Sequence, residues 1–285
     1  MLTINPQNTE TSKLHSYLLA SIAPRPIALA STIDDKGNPN LSPFSFFNVF
    51  SANPPILIFS PARRVRNNTL KHTLENAKQT KEVVINVVNF DMVHQTSLAS
   101  TEYEKNINEF DKAGFTMLQS NKVKPFRVKE SPVQFECKIN DIIELGQEGG
   151  AGNLIICEVI CMHINKNILD QNNDIDQYKL DLVARAGGSF YSRARNTFFE
   201  IPKPIQIKGI GVNVLPGEIK DSEILTGNNL GMLGNVEALP TQDDVNKFIE
   251  DNSKFLGLEI NEKHKFAQEF LKNNDVKSAW KVLLS

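Results

Sequence analysis

The chain is poor in the residues and motifs on which several common kinds of site depend. It has only three cysteines in 285 residues, and none forms the closely spaced pair of a zinc site. Its five histidines form no H-E-x-x-H pair. The sequence also lacks a G-x-x-x-x-G-K-[ST] loop, a G-x-G-x-x-G fingerprint and a G-x-S-x-G elbow. We therefore expect no metal site, and the absences argue against a P-loop NTPase, a Rossmann domain and an α/β-hydrolase.

Charge of one sign and long apolar runs are also lacking. The formal net charge is -2, whereas a nucleic-acid-binding face usually gives a clear positive excess. Residues 1–10 contain no basic start followed by an apolar run, and no apolar run approaches the about 18 residues of a membrane span. The sequence therefore predicts no nucleic-acid partner, no secretory signal and no membrane association.

The three cysteines lie in apolar, strand-like segments, Cys137 in one and Cys157 and Cys161 in another. Free buried cysteines behave as small apolar side chains, whereas a secreted disulfide framework normally uses an even number. We therefore predict buried, reduced thiols and a reducing compartment, which makes the cytoplasm the expected location.

The first two thirds of the chain are rich in predicted strands. Apolar, β-compatible runs bounded by turn residues predict strands at Ile27–Ile33, Leu41–Val49, Ile56–Phe59, Val83–Val88, Val133–Ile143, Leu154–Ile164 and Tyr178–Ala184. The spacing of Leu70 and Leu74 predicts a helix over Asn68–Lys78. Because short helices interrupt the strands without a regular βαβ rhythm, the pattern favours a closed antiparallel barrel over a doubly wound sheet.

The composition changes after Pro202 and Pro204. Asp243–Leu256 is predicted to be a helix preceded by a capping box at Thr241, and Lys263–Leu284 is a second amphipathic helical region. We therefore predict a barrel domain over residues 1–204 and a C-terminal helical extension over 205–285. The extension is interpreted as a cover or a dimer contact, with a lid or a partner-docking element as the alternative.

Hydroxyl, basic and aromatic residues are concentrated between residues 25 and 70. Singly, most are explained as turn residues, helix caps or solvated charges. Together, Ser60–Thr69 offers the arginines, hydroxyls and helix start that a phosphate needs. Ser42–Asn48 offers aromatic walls with polar edges, as a flat ring system requires. The residues alone therefore predict a pocket for a phosphate and a ring.

An ordered series of short motifs resembles a known family. The motifs, all between about residues 20 and 195, are Arg25–Thr32, Gly37, Asn40–Ser45, Pro54-Pro55, Arg66–Thr69, Val84–Val87, Asn108–Phe110, Ala113-Gly114, Ser131–Val133, Glu136-Cys137 and Arg185–Gly188 with Tyr191. Each motif is weak alone, but their order and spacing resemble the flavin reductase-like FMN-binding proteins, which include the flavoredoxins.

The resemblance implies a mainly β protein with helices, an FMN-binding split β-barrel, and a homodimer whose interface helps to build two FMN sites. By matching position, the residues expected at the flavin or its ribityl chain are Ser31, Thr32, Asn40, Ser42, Pro43, Phe44, Ser45 and Asn86. Those expected at the phosphate are Ser60, Arg66 and Thr69. His94 and Tyr191 are expected near the exposed flavin face, although a surface histidine and a structural tyrosine are the alternatives, and no residue is assigned a bond-breaking role.

The chain departs from the family pattern at one point. It has Asn67-Asn68-Thr69 where the family often has Lys-Asp-Thr. Arg66 or Arg63 is expected to replace the missing lysine, and an arginine would hold a phosphate in a bidentate manner. Arg64 is expected to point to solvent.

The function implied by the resemblance is that of an FMN-dependent oxidoreductase of flavin reductase type. NADH or NADPH would deliver hydride to the flavin, and electrons would pass to free flavin, oxygen or a redox partner protein. The alternative is a flavoredoxin-type electron carrier with tightly bound FMN and no hydride donor of its own. A third possibility is an interaction scaffold that has lost FMN.

Overall fold

The computed structural model describes residues 1–105, 107–201 and 208–285. The chain divides into two compact units, Met1–Phe198 and Phe199–Ser285. The predicted boundary between residues 204 and 205 lies within 202–207, outside the described residues. No helix in the described ranges has both the length and the apolar character needed to cross a membrane.

The N-terminal unit is built mainly from strands. In chain order they are β1 (Ala28–Ile33), β2 (Pro39–Phe44), β3 (Phe47–Ala52), β4 (Pro55–Phe59), β5 (Glu82–Val87), β6 (Met117–Leu118), β7 (Arg127–Val128), β8 (Val133–Glu144), β9 (Asn153–Ile164), β10 (Val183–Arg185) and β11 (Tyr191–Arg193). Its helices are α1 (Thr11–Ser21), α2 (His72–Thr80), α3 (Val93–Leu98), α4 (Glu109–Ala113) and α5 (Gln177–Leu180).

Seven strands form one antiparallel sheet in the order β2-β1-β5-β8-β9-β4-β3. The two short pairs β6-β7 and β10-β11 lie outside it. Because β2 and β3 are the two edges and do not pair with each other, the sheet of the described residues does not close. The predicted antiparallel pairing is confirmed, but the predicted closure was wrong, and an open sheet is the arrangement of a split barrel.

The sheet carries an apolar core on each face. Alternate residues of a strand face opposite sides. Accordingly, Ala28 and Ala30 of β1 lie in one core cluster with Leu74 of α2, whereas Leu29 lies in a second cluster with Phe110 of α4. All six residues of β1 are buried, which explains why this run is apolar or small throughout.

Two predicted strands have a different structure. The run Leu41–Val49 is divided between β2 and β3 because its halves pair with different neighbours, β1 and β4. The run Tyr178–Ala184 begins as helix α5, because the Asp176 side chain accepts the backbone N–H groups of Tyr178 and Lys179 and so caps a helix start. Only β10 is a strand there.

Two helix predictions had different bounds. The predicted helix Asn68–Lys78 is observed at His72–Thr80, and Asn68 itself has a left-handed backbone with φ 54°. The predicted helix Asp243–Leu256 ends at Asp251. The thiols of Cys137 and Cys157 are buried as predicted, whereas Cys161 is only half-buried.

The C-terminal unit is helical in its described residues. Its helices are α6 (Gly217–Lys220), α7 (Gly227–Gly234), α8 (Gln242–Asp251), α9 (Ile260–Lys272) and α10 (Val276–Leu283). The capping box at Thr241 is confirmed, with Asp244 as its partner. Trp280 is buried in the core of this unit and donates its indole N–H to Leu233 O (3.1 Å). The region Lys263–Leu284 is helical as predicted and consists of α9 and α10.

Candidate functional site

Four cavities of the N-terminal unit share lining residues, and we call them together the groove. Three cavities have volumes of about 430, 360 and 340 Å³, and a fourth, of about 20 Å³, lies between the first two. Neighbouring cavities share lining residues: Arg64, Lys71 and Glu102 join the first to the small one, Ser100 joins that to the second, and Tyr191 joins the second to the third. We call the first cavity the basic end and the second and third the aromatic end.

The basic end is shaped by the glycine-rich loop between β8 and β9. Gly150 donates its backbone N–H to Arg63 O (3.0 Å), and Arg63 donates its own to Ala151 O (2.8 Å). A Cβ on Gly149 would lie 3.0 Å from Val65 O, so glycine is what allows this close approach. The loop therefore fixes the backbone from which the basic side chains extend.

Three basic side chains converge there on one carboxylate. Arg64 Nε lies 2.9 Å from Glu102, and Arg66 Nη2 and Lys71 Nζ lie 3.4 and 3.9 Å from the same side chain. The hydrogen bond from Arg64 holds the pKa of Glu102 below its ordinary value. Burial, followed by the charge of Arg64, lowers the pKa of Lys71. The focus of three positive charges is a position suited to an anion.

Arg64 points inward from the turn. Its side chain is 17% exposed, and it donates to Thr69 Oγ1 (2.9 Å) and Leu70 O (2.5 Å). Arg66, in contrast, is 81% exposed. The prediction that Arg64 points to solvent was wrong, because these two acceptors and Glu102 hold its guanidinium against the protein.

The two asparagines that replace the family's Lys-Asp pair hold the turn together. Asn67 Oδ1 accepts the hydroxyl of Thr69 (2.9 Å), and Asn68 Oδ1 accepts Nε of Arg63 (2.6 Å). Asn68 Nδ2 in turn donates to Gln147 O (3.0 Å) in the glycine-rich loop. Arg63 is therefore engaged within the turn itself.

Asn40 and Ser42 of β2 line the small central cavity. Asn40 Nδ2 donates to Thr73 Oγ1 (2.9 Å) and Thr32 Oγ1 (3.3 Å). Thr32 Oγ1 also accepts Nδ2 of Asn76 (3.2 Å). This buried network connects β1 and β2 to α2 and fixes Asn40 at the groove wall.

The aromatic end combines apolar, hydroxyl and imidazole side chains. Pro43, Phe44, Ser45 and Tyr191 line the second cavity, and His94 and Tyr191 line the third. Five of the residues predicted to lie near a flavin ring are thus brought together at one end of the groove.

Several predicted residues lie elsewhere. Those that do not line the four cavities are Ser31, Thr32, Ser60, Thr69 and Asn86. Asn86 donates to Leu29 O (3.0 Å) and accepts the N–H of Val128 (2.9 Å), and Ser60 Oγ accepts the N–H of Asn153 (3.0 Å). These bonds join strands of the barrel, and contact of the five residues with a cofactor stays a prediction.

Sequence reasoning did not assign several residues that line the groove. They are Arg64, Lys71, Ser97, Ser100, Arg185 and Ser189. Two of them are close in sequence, since Ser97 lies in the last turn of α3 and Ser100 follows two residues after the helix ends. Lys71 stands directly before α2. It was not predicted, because Arg66 or Arg63 was expected to replace the lysine of the family motif.

A group with metal-ligand chemistry lies outside the groove. Atoms of Glu136, Cys161 and His163 lie within 4.8 Å of one another. Glu136 Oε1 is 2.6 Å from His163 Nε2, and the Glu136 carboxylate also accepts the backbone N–H groups of residues 121–123. Its acceptor sites are therefore occupied within the protein, and its geometry is explained by the anchoring of that turn.

Comparison with known proteins identifies the family. The profile of the flavin reductase like domain matches residues 20–179. An uncharacterized protein from Aquifex aeolicus is 36% identical over 188 residues, which are 66% of this chain and 93% of that protein. The chain therefore belongs to the flavin reductase-like domain family.

Two solved structures share the fold. Component B of nitrilotriacetate monooxygenase from Bacillus cereus is 28% identical, with a TM-score of 0.66, and the match covers 70% of this chain and 98% of that one. A protein from Shewanella frigidimarina assigned as a flavin reductase with a split barrel domain is 25% identical, with a TM-score of 0.59, and the match covers 71% and 100%. The predicted split barrel is confirmed.

Proposed function

We propose that the protein binds FMN in the groove and acts as an NAD(P)H-dependent oxidoreductase of flavin reductase type. The observation that carries the proposal is the convergence of Arg64, Arg66 and Lys71 on a single carboxylate at one end of a groove whose other end is aromatic. FMN has its chemical groups in the same order, since a polyhydroxyl chain joins its phosphate to a flat ring.

The lining residues fit such a molecule along its length. Arg64 and Lys71 would hold the phosphate, since both are partly buried cations at the basic end. Asn40 and Ser42 would meet the ribityl chain at the narrow centre. Residues 43–45 would form a wall for the ring.

FMN would supply the electron-transfer chemistry, and the chain would bind, orient and partly desolvate it. Tyr191 and His94 would lie beside the ring, where they shape the space open to a second substrate. The relatives support this reading, because one is a monooxygenase component and another is assigned as a flavin reductase.

The test is to load the purified full-length protein with FMN and add NADH or NADPH under anaerobic conditions. The proposal predicts that at least one nucleotide bleaches the visible flavin absorption, and that oxygen or free FMN restores it. Bleaching by a reduced redox protein alone, with no response to either nucleotide, would instead identify a flavoredoxin-type carrier. Failure to bind FMN would favour the third possibility, an interaction scaffold that has lost FMN.

We also propose that the working form is a homodimer. Edge strand β3 exposes Val49 and Phe50, each 63% accessible, and β9 exposes Ile160 and Met162. Apolar side chains on an unpaired edge favour association with another chain. A second copy of this protein is the partner that the family resemblance implies.

A further inference from the structure

The second cavity of the groove has an unusual balance of charge. It is lined by four serines, a threonine and Arg185, and no aspartate or glutamate of the described residues lines it or the adjoining third cavity, whereas Glu102 and Glu109 line the small cavity on its other side. The serines are Ser45, Ser97, Ser100 and Ser189. Positive charge and hydroxyl donors are thus gathered around a volume of about 360 Å³, with no acid among the described residues that line it.

Arg185 has no carboxylate within ion-pair distance among the described residues. Its guanidinium carbon lies 4.6 Å from the ring centroid of Tyr191, which holds the side chain beside the cavity. Arg193, two residues after Tyr191 in β11, differs from Arg185 in having an acidic partner. It also stacks on a ring, that of Phe90, but it is neutralised by a bidentate pair with Asp181.

A second guanidinium lies close by. Arg25 is 7% exposed and donates to the backbone oxygens of Leu19 (2.6 Å) and Ile22 (2.5 Å), and more weakly to Ser45 Oγ (3.4 Å). Burial, followed by the charge of Arg185, lowers the pKa of Arg25. Two like charges therefore lie near this cavity, Arg25 held by backbone carbonyl groups and Arg185 by an aromatic ring.

One hydroxyl at this cavity lacks a partner. Thr96 lines it and is 2% exposed, and its buried Oγ1 has no hydrogen-bond partner among the described residues. Buried hydroxyls are normally satisfied, and an exception calls for a ligand or a water molecule. Guanidinium and hydroxyl groups together are the donors that bind carboxylates and phosphates.

We infer that the part of this cavity beside Arg185, next to the space assigned to the flavin ring, binds an anionic oxygen group, a carboxylate or a phosphate, of the molecule that exchanges electrons with the flavin, and that Arg185 selects for that anion. The inference rests on the proposed function. It adds a second anion subsite, at the opposite end of the groove from the cluster of Arg64 and Lys71. The source is either the pyrophosphate of a pyridine nucleotide or the carboxylate of an organic acceptor.

The test uses calorimetric titration of the FMN-loaded, full-length protein, because FMN blocks the basic end. Pyrophosphate and benzoate are the two probes. We expect the wild-type protein to bind one of the two probes. Arg185→Gln should weaken that binding about tenfold or more, and the affinity of Arg185→Lys should lie between those of the wild type and Arg185→Gln. Arg195→Gln is the matched control, since it removes the same charge from an exposed neighbour of β11 and is expected to change nothing.

The two probes separate the sources of the anion. Preference for pyrophosphate identifies the nucleotide, and preference for benzoate identifies an acceptor carboxylate. Absence of binding to wild type, or equal binding by wild type and Arg185→Gln, would overturn the inference. A fall in FMN affinity in Arg185→Gln would also overturn it, since Arg185 would then hold the flavin. Failure of wild type to bind FMN at all would overturn the proposed function instead.

Discussion

Glu102 stands at the position that we assign to the phosphate of FMN. Its carboxylate is the acceptor for Arg64 and lies within 4.0 Å of Lys71, so an incoming phosphate must displace it. We predict that Glu102→Gln strengthens FMN binding by about two- to fivefold, because an ion pair with a solvent-accessible carboxylate is worth only ~0.2–1 kcal/mol. Quenching of flavin fluorescence measures the affinity.

The control for this prediction is Glu104→Gln. Glu104 is exposed, carries the same charge two residues away, and makes no ion pair among the described residues. If both variants gain affinity equally, the effect is one of net charge, and Glu102 does not occupy the phosphate position.

The two arginines of the basic turn are predicted to differ. Arg64→Gln should weaken FMN binding about tenfold or more, since it removes a partly buried, charge-assisted donor. Arg66→Gln should weaken it less than about threefold, because its side chain is exposed and screened. Equilibrium titration with FMN provides the comparison, and a larger loss for Arg66→Gln would contradict the assignment.

For single residues, the sequence predicts which residue types form the site better than it predicts where their side chains point. Clustered arginines and hydroxyls between residues 60 and 69 predicted an anion site, but the choice between Arg64 and Arg66 depends on tertiary acceptors at Thr69 and Leu70. Asn86 shows the same limit. Its amide lies on the predicted central strand, yet its two partners come from a neighbouring strand and from β7.

A buried carboxyl group adds a hydrogen bond to the apolar packing between helix α4 and β2. Glu109 accepts the backbone N–H of Leu41 (3.0 Å) and is 6% exposed. Glu109→Ala should reduce the free energy of unfolding by about 1–3 kcal/mol, because it leaves that N–H unpaired. Glu109→Gln keeps an acceptor oxygen and should lose less. Urea unfolding measures both, and equal losses would contradict this role.

The same group predicts a dependence on pH. Burial raises the pKa of Glu109, which the Leu41 hydrogen bond only partly offsets. The folded state therefore holds this proton more tightly than the unfolded state. The stability of wild type relative to Glu109→Gln should be greatest below the ordinary glutamate pKa and should fall as pH rises through the raised value. A difference that is constant or rises with pH would contradict the prediction.

Elements with strong periodicity were predictable, and those set by local capping were not. The long strands β8 and β9 correspond closely to the predicted runs Val133–Ile143 and Leu154–Ile164. Helix α5 was missed because one capping aspartate outweighs the β-propensity of a four-residue segment. The division of β2 from β3 depends on which strands they join, and a single run of sequence carries no such information.

At the scale of the molecule, the proposed homodimer predicts a particle of twice 31.9 kDa. Light scattering of the full-length protein measures this mass. Phe50→Lys should shift the population toward the monomer, because it places a charge on the exposed face of edge strand β3. Phe190→Lys is the control, since Phe190 is exposed outside the seven-stranded sheet. A monomeric wild type would contradict the prediction.

The most direct test of the account is to compare the affinities of the wild-type protein for FMN and for riboflavin, which lacks the phosphate. Because the basic end provides two partly buried cations for a phosphate, FMN should bind at least about tenfold more tightly. Binding of neither flavin, or equal binding of both, would contradict the assignment of the groove as an FMN site with its phosphate at Arg64 and Lys71.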